Sequence, residues 1–502
     1  MRKRPLDILK APADHPVLLI ALILIIRLPI LGYFLAQGHE HFSDRMIDTI
    51  VLKEVDYGYF LLPVDNYFEI GTYSWGNIHP YAGRMPGYAA PYYLLRTVFD
   101  QMTALRILII LQVVLTAISI YFLALLAYRL TRSRRIFWMV FLFYGTSLYF
   151  LRYDFSTITE SPSVALFILA IYHLFSYWRD KKWSRLPWAG FFFTWAIFLR
   201  PFLGYLLVPI GIILLIKGFK DRKTFMRSLR PAFLFCLPFL IIEGLWIGRN
   251  YEAFGRFIPL ETPMHESYGK PYSKAWLATR ALASSLDIET AYFEPGLAQW
   301  FRASSEEDAR AFQMPEKWFE GVEFDRDSLE MLRNVYMDFK TDYDPERSAL
   351  LEEEIISIAD RYRSQVRSAR PFTYHVINPL RNVKRRVFTS GSSYVLLPSF
   401  NQMNLFQKAL KIYASLSYYA VFLLGYIGLI LLCMQSKDSM VRNFCILALF
   451  HCIALPLILP FTPATLENRY LFTLYPLLCI GLFYLVDRVG LTLIRNPKRW
   501  TS

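Results

Sequence analysis

Long apolar runs separated by short polar segments dominate this chain. That is the pattern of helices that cross a lipid bilayer. Ten runs are predicted to span: Val17–Ala36, Thr103–Ala127, Ile136–Phe150, Ser161–Tyr177, Pro187–Leu199, Phe202–Ile216, Pro231–Gly248, Ala409–Cys433, Phe444–Phe461 and Tyr470–Val486. Several are short for a hydrocarbon core of about 30 Å. The first is too long for a signal-peptide core and lacks a small-residue cleavage site, so it reads as an uncleaved span. The run from Pro187 to Ile216 is split at Arg200-Pro201, because basic segments flank it on both sides and must share one face of the membrane.

Charge sets the orientation. Segments 1–15, 128–135, 178–186 and 217–230 hold 18 Lys/Arg against four acidic residues, which predicts that they and both termini are cytoplasmic. The net charge of +14 therefore belongs to inner loops, and a nucleic-acid partner is excluded as the reason for it. With 55% hydrophobic and 19% charged residues, the chain is too apolar for a soluble or disordered protein. Its five cysteines all lie inside apolar runs and read as packing residues.

This topology predicts an all-α polytopic membrane protein of about ten spans with an extracytoplasmic domain. Residues 1–250 form an N-terminal transmembrane module whose first outer loop is 37–102, residues 251–406 the outward domain, and residues 407–502 the C-terminal transmembrane helices. Within 251–406, Ser348–Arg370 reads as a charged helix, and Arg381, Lys384, Arg385 and Arg386 mark a basic amphipathic stretch. No internal repeat is visible, which counts against repeat-built transporters.

Ionisable residues in or beside spans are costly and are functional candidates. Here they gather on the predicted outer face: Asp65, Glu69 and Arg84, then Asp154 and Glu160, then Arg200, then Glu243 and Arg249, then Glu467 and Arg469. Guanidinium forks grip phosphate oxygens and a carboxylate handles a proton, so this mixture suits chemistry on an anionic lipid head group. Plainer readings apply elsewhere. Asp44, Asp48 and Asp56 read as solvated loop acids, Arg27 as a snorkelling or internally paired residue, His173 and His451 as helix-packing residues, and Trp188, Trp195 and Trp246 as interface belt residues. Asp65 also reads as an N-cap for an amphipathic segment Tyr67–Tyr73.

Six fragments carry a family resemblance. Asp65-Asn66-Tyr67-Phe68 with Gly71 and Arg84-Met85-Pro86-Gly87-Tyr88 resembles the first outer loop of GT-C glycosyltransferases related to protein O-mannosyltransferases and the lipid A aminoarabinose transferase. The likeness continues in Thr159-Glu160-Ser161, in Leu199-Arg200-Pro201, in Trp246-Ile247-Gly248-Arg249-Asn250-Tyr251 followed by Gly255-Arg256-Phe257, and in Glu467-Asn468-Arg469-Tyr470 with Tyr475-Pro476. The resemblance implies inverting transfer of a sugar from a polyprenyl-phosphate donor to a lipid, glycan or protein acceptor on the extracytoplasmic face. It implies Asp65 as catalytic base, with Glu160 and Asp154 sharing or orienting, and Arg84, Arg249, Arg469 and Arg200 on the donor phosphate. Tyr67, Tyr88 and Glu467 are the implied substrate contacts. Asn66 stands where a paired acid would favour a metal-assisted variant, so no cofactor is specified and a divalent metal is left open. The absence of Asn-x-Ser/Thr sequons and of an outer cysteine pair points to a bacterial plasma membrane. A lipid-linked oligosaccharide ligase or polymerase using a diphosphate donor is the second reading, and a lipid or solute transporter the third.

Overall fold

The computed structural model describes residues 15–41, 48, 50–54, 56–76, 79–149, 151–215, 222–263, 266, 273–287, 296–301, 303, 312–388, 399–458 and 468–495. In chain order its principal helices are α1 Pro16–His41, α2 Leu62–Ile70, α3 Ala89–Arg96, α4 Gln101–Thr131, α5 Arg134–Gly145, α6 Glu160–Asp180, α7 Arg185–Leu199, α8 Leu207–Leu215, α9 Arg222–Phe254, α10 Lys274–Leu286, α11 Arg326–Thr341, α12 Pro345–Ala369, α13 Asn378–Phe388, α14 Leu405–Gln435, α15 Ser439–Ile458 and α16 Tyr475–Arg495. The fold is all-α. Among the described residues β pairing is limited to one isolated bridge, Leu52 to Ser156.

Six helices are long and apolar enough to cross a membrane among the described residues, with apolar segments Pro16–Ala36, Gln101–Thr131, Glu160–Asp180, Leu229–Phe254, Leu405–Gln435 and Ser439–Ile458. Of the other four expected spans, Pro187–Leu199 is helical throughout and three take different forms. Ile136–Phe150 gives the 12-residue α5, and Pro187–Leu199 the 15-residue α7. The stretch expected as Phe202–Ile216 becomes a 3₁₀ segment, Pro201–Leu206, running into α8. The last run starts at Tyr475 rather than Tyr470, because Pro476 suits a first helical turn and a 3₁₀ turn, Asn468–Leu471, precedes it. The expected break at Arg200-Pro201 is real: Arg200 has φ −143° and ψ 90°, outside helical space, as a residue before proline prefers.

The chain forms two compact units. The first holds Met1–Glu261, Ser390–Ile453 and Arg469–Ser502. Its most enclosed element is α6, buried on nearly every face and packed on α4 and α7. Elsewhere small residues let helices touch backbone to backbone. A Cβ on Gly428 of α14 would stand 1.8 Å from the Gly481 carbonyl oxygen of α16, so neither helix tolerates a larger residue there.

The second unit holds Thr262–Thr389 and Ala454–Asn468. Its core is built by α10, α11 and α12 around Trp276, Trp318, Phe324, Leu332, Ile355 and Tyr362. Asp325 caps α11 in a reciprocal box with Ser328, and Asp344 caps α12 ahead of Pro345. The charged helix expected at Ser348–Arg370 is α12, and the basic amphipathic stretch is α13, entered through a π-helical turn at Thr373–Ile377.

Candidate active site: a charge network and an aromatic cavity

In the first unit, α2 and α3 are tied together by one carboxylate. Asp65, 2% exposed on α2, accepts from the Tyr57 hydroxyl, from the Tyr92 hydroxyl of α3 (2.7 Å) and from Gln101 Nε2 (3.0 Å), and pairs with Arg96 Nε (3.4 Å). Both oxygens are engaged. Burial and the Asp65 charge push the Tyr57 and Tyr92 hydroxyls well above the usual tyrosine range, Tyr92 also through its neighbour Tyr57, so they stay protonated and donate. The N-cap reading of Asp65 is corrected. Pro63 starts α2 earlier, at Leu62, which puts Asp65 in the first turn, and Gly71 at φ 75° ends the helix.

A second carboxylate heads α6. Glu160, 1% exposed, meets Arg200 Nη2 and lies 3.0 Å from Arg469 Nη1 through the same oxygen, Oε1. Among the described residues neither of its oxygens makes a hydrogen bond, so Arg200 and Arg469 hold Oε1 through ion pairing alone. Arg469 also donates to Asp56 Oδ2 (2.8 Å), so Asp56 is an ion-pair partner rather than a solvated acid. Asp48 is likewise paired, with Arg106. Because Asp56 immediately precedes Tyr57, the Glu160 and Asp65 clusters are continuous along the chain.

A third carboxylate was not anticipated from the sequence. Glu261 receives Arg84 Nη1 at 3.3 Å, and burial raises its carboxyl above the usual range, against the opposing pull of Arg84 and Arg200. Its position is fixed by α9: Glu243 accepts the Leu260 N–H (2.7 Å) and Trp246 Nε1 donates to the Leu260 carbonyl (2.5 Å). Those bonds hold Leu260 at φ 56°, a left-handed conformation that a leucine adopts only under constraint. The Arg84-Met85-Pro86-Gly87-Tyr88 segment is docked on α7. A Cβ on Gly87 would lie 2.5 Å from the Phe198 carbonyl, and Trp195 Nε1 donates to the Gly87 carbonyl (2.8 Å). Trp195 and Trp246 thus each donate to a backbone carbonyl.

Arg249 differs from the other guanidinium candidates. Arg84, Arg200 and Arg469 face Glu261, Glu160 and Asp56, three charges against three. Arg249 donates to the Tyr81 carbonyl (2.8 Å) and Asn250 Oδ1 (3.0 Å), lies over the rings of Tyr73 and Trp246, and has no carboxylate partner among the described residues. Beside it opens a cavity of about 440 Å³ whose walls include Val64 and Tyr67 of α2, Pro86, Tyr93 of α3, Tyr73 and Trp246. A lone cation against an apolar, aromatic wall suits an anion that carries a hydrocarbon chain.

The remaining predicted residues divide. Tyr67, 42% exposed, lines this cavity with Tyr93. Tyr88 is turned inward at 3% exposure and its hydroxyl donates to Gln112 (3.1 Å). Asp154 is fully buried, paired with Arg27 and accepting from Thr116 (3.1 Å) and Ser161, so Arg27 belongs to an internal ion pair. Glu467 lies outside the described residues. Among the described residues no three His, Cys, Asp or Glu side chains come together as a metal site.

Residues 87–242 match the family model of dolichyl-phosphate-mannose-protein mannosyltransferase. That match supports a GT-C superfamily glycosyltransferase. No curated protein and no solved structure matches the chain. The matched part of the chain contains Asp154, Glu160 and Arg200. Asp65, Arg84, Arg249, Glu261 and Arg469 lie outside it. The sequence signal that would have found Glu261 is its place a few residues after Gly255-Arg256-Phe257, on the non-helical stretch that follows α9.

Proposed function

We propose that this glycosyltransferase moves a sugar from a polyprenyl-phosphate donor to a hydroxyl or amine acceptor, with inversion, and that Arg249 holds the donor phosphate. The observation that carries this reading is the aromatic cavity of about 440 Å³ beside a guanidinium without a carboxylate partner. A phosphodiester-linked sugar lipid brings one negative charge, which one such arginine balances. A diphosphate-linked donor, expected for an oligosaccharide ligase, brings two or more, and the neighbouring arginines are already matched by Glu261, Glu160 and Asp56. The charge count therefore favours the monophosphate donor.

In this mechanism the walls of α2 and α3 receive the isoprenoid end of the donor, and Arg249 stabilises charge developing on the leaving phosphate. Glu160 takes the acceptor's proton. Its Oε1 is held by ion pairs to Arg200 and Arg469, and neither carboxylate oxygen accepts a hydrogen bond among the described residues, which leaves Oε2 for an acceptor's proton. Asp65 is a positioning residue, since its lone pairs are already engaged and it fixes two cavity walls. Arg84 and Glu261 form a flanking pair. The extracytoplasmic setting rests on the basic excess of the opposite loops, and labelling of a cysteine introduced at Ser304 from the outside alone is the expected result.

The test is Arg249→Lys, assayed with a polyprenyl-phosphate sugar and with its diphosphate analogue. Loss of the planar fork should weaken monophosphate donor binding about 10- to 100-fold, the value of one to two charge-assisted hydrogen bonds. Unchanged donor binding removes Arg249 from the site. Preference for the diphosphate analogue returns the ligase reading.

A further inference from the structure

A second cavity lies at the other end of α6. Glu160 and Asp180 bound this 21-residue helix, so the two ends are about 30 Å apart at 1.5 Å per residue. The cavity, of about 480 Å³, is lined by His173 of α6, by Lys182 and Ser184 of the connecting turn, and by Arg185, Trp188 and Phe192 of α7. None of these residues belongs to the charge network described above.

Its chemistry is one-sided. The α6–α7 turn carries Arg179, Lys181, Lys182 and Arg185 against a single acid, Asp180, and Asp180 is taken by Arg129 (3.3 Å). Lys182 and Arg185 have no carboxylate partner among the described residues. Arg185 Nη1 meets His173 Nδ1 at 3.4 Å, and since guanidinium only donates, that nitrogen accepts and brings no negative charge. Ser184 stands at the N-cap of α7 without making a capping bond, which leaves its hydroxyl available. Opposite the cations runs a ladder of flat rings: His173 stacks on Phe192 at 5.6 Å, and Phe192 on Trp188 at 5.9 Å. Trp188 is 55% exposed.

We infer that this cavity is a binding site for the head group of an anionic phospholipid, with Lys182, Arg185 and Ser184 holding the phosphate and Trp188 and Phe192 receiving the adjoining glycerol and first acyl methylenes. The argument is the juxtaposition of two unpaired cations with an aromatic wall in a chain that crosses a bilayer. A soluble phosphate would use the cations but not the rings, and a zwitterionic lipid would set its own cation against Lys182 and Arg185. Basic pockets between membrane helices bind anionic head groups in this manner, and aromatic side chains favour the interfacial depth.

The experiment is native mass spectrometry of the full chain in detergent, titrated with phosphatidylglycerol, phosphatidylcholine and glycerol 3-phosphate. Phosphatidylglycerol should bind in preference to the other two. Lys182→Gln and Arg185→Gln should each weaken it about fivefold, and together about thirtyfold, with phosphatidylcholine unaffected. The charge-preserving pair Lys182→Arg with Arg185→Lys should keep the preference, which holds the test open if the neutral variants fold poorly. Equal binding of phosphatidylcholine overturns the proposal. So does phosphatidylglycerol binding that survives the neutral double variant, and so does glycerol 3-phosphate binding as tightly as the lipid, which would assign the site to a soluble ligand.

Discussion

Asp65 ties together the two helices that wall the cavity and Arg249 lines it, yet the two are in opposite electrostatic states. Asp65 has three hydrogen-bond donors and a guanidinium on two oxygens. Arg249 has a backbone carbonyl, an amide oxygen and aromatic rings, but no anion. A buried charge that is fully satisfied holds structure, because moving any partner leaves a costly orphan. A charge with no counter-ion among the described residues is where the proposed function puts the donor phosphate. Glu160 stands between the two states, its Oε1 ion-paired with two arginines while neither oxygen accepts a hydrogen bond among the described residues.

The largest expected effect tests Glu160. Glu160→Gln keeps the shape but removes the proton acceptor, so turnover should fall about 10²–10⁴-fold while donor binding persists. Near-normal turnover in single-turnover kinetics would exclude it as the base. Asp65→Asn should act on a different quantity. It weakens charge-assisted bonds to Tyr57, Tyr92 and Arg96, and about 2 kcal/mol of stability should be lost, with donor affinity falling as α2 and α3 loosen. If instead Asp65→Asn melts normally and binds donor but does not turn over, the roles of Asp65 and Glu160 are exchanged.

A smaller effect belongs to Glu261, whose carboxyl is raised by burial beyond what Arg84 offsets. A group with a raised folded pKa stabilises the fold below its unfolded value, about 4.3, and that contribution is lost as pH rises through the folded value. Thermal stability in detergent should therefore decline across that window, and Glu261→Gln should flatten the decline. An unchanged profile in the Gln variant would assign the pH dependence elsewhere. The smallest effect is Tyr88→Phe. It removes one hydrogen bond to Gln112, about 1 kcal/mol, and should leave donor binding unaltered. A large loss of binding would mean that Tyr88 turns toward substrate.

Local pattern determined much of this protein. Apolar runs located the helices, Arg200-Pro201 located the break after α7, and short motifs named Glu160, Arg249 and Tyr67, since hydropathy, proline geometry and membrane burial of charge all act within a few residues. Helix length was less legible at α5, where a turn after Gly145 ends the helix before the apolar pattern does. Pairing of charges was decided only by the fold. Arg469 and Asp56 are separated by 413 residues and Arg27 and Asp154 by 127, and no local pattern says which carboxylate neutralises which arginine. That pairing separates the candidates whose charge is met by an ion pair from Arg249, which has no carboxylate partner among the described residues, because a charge is satisfied through space and not along the chain.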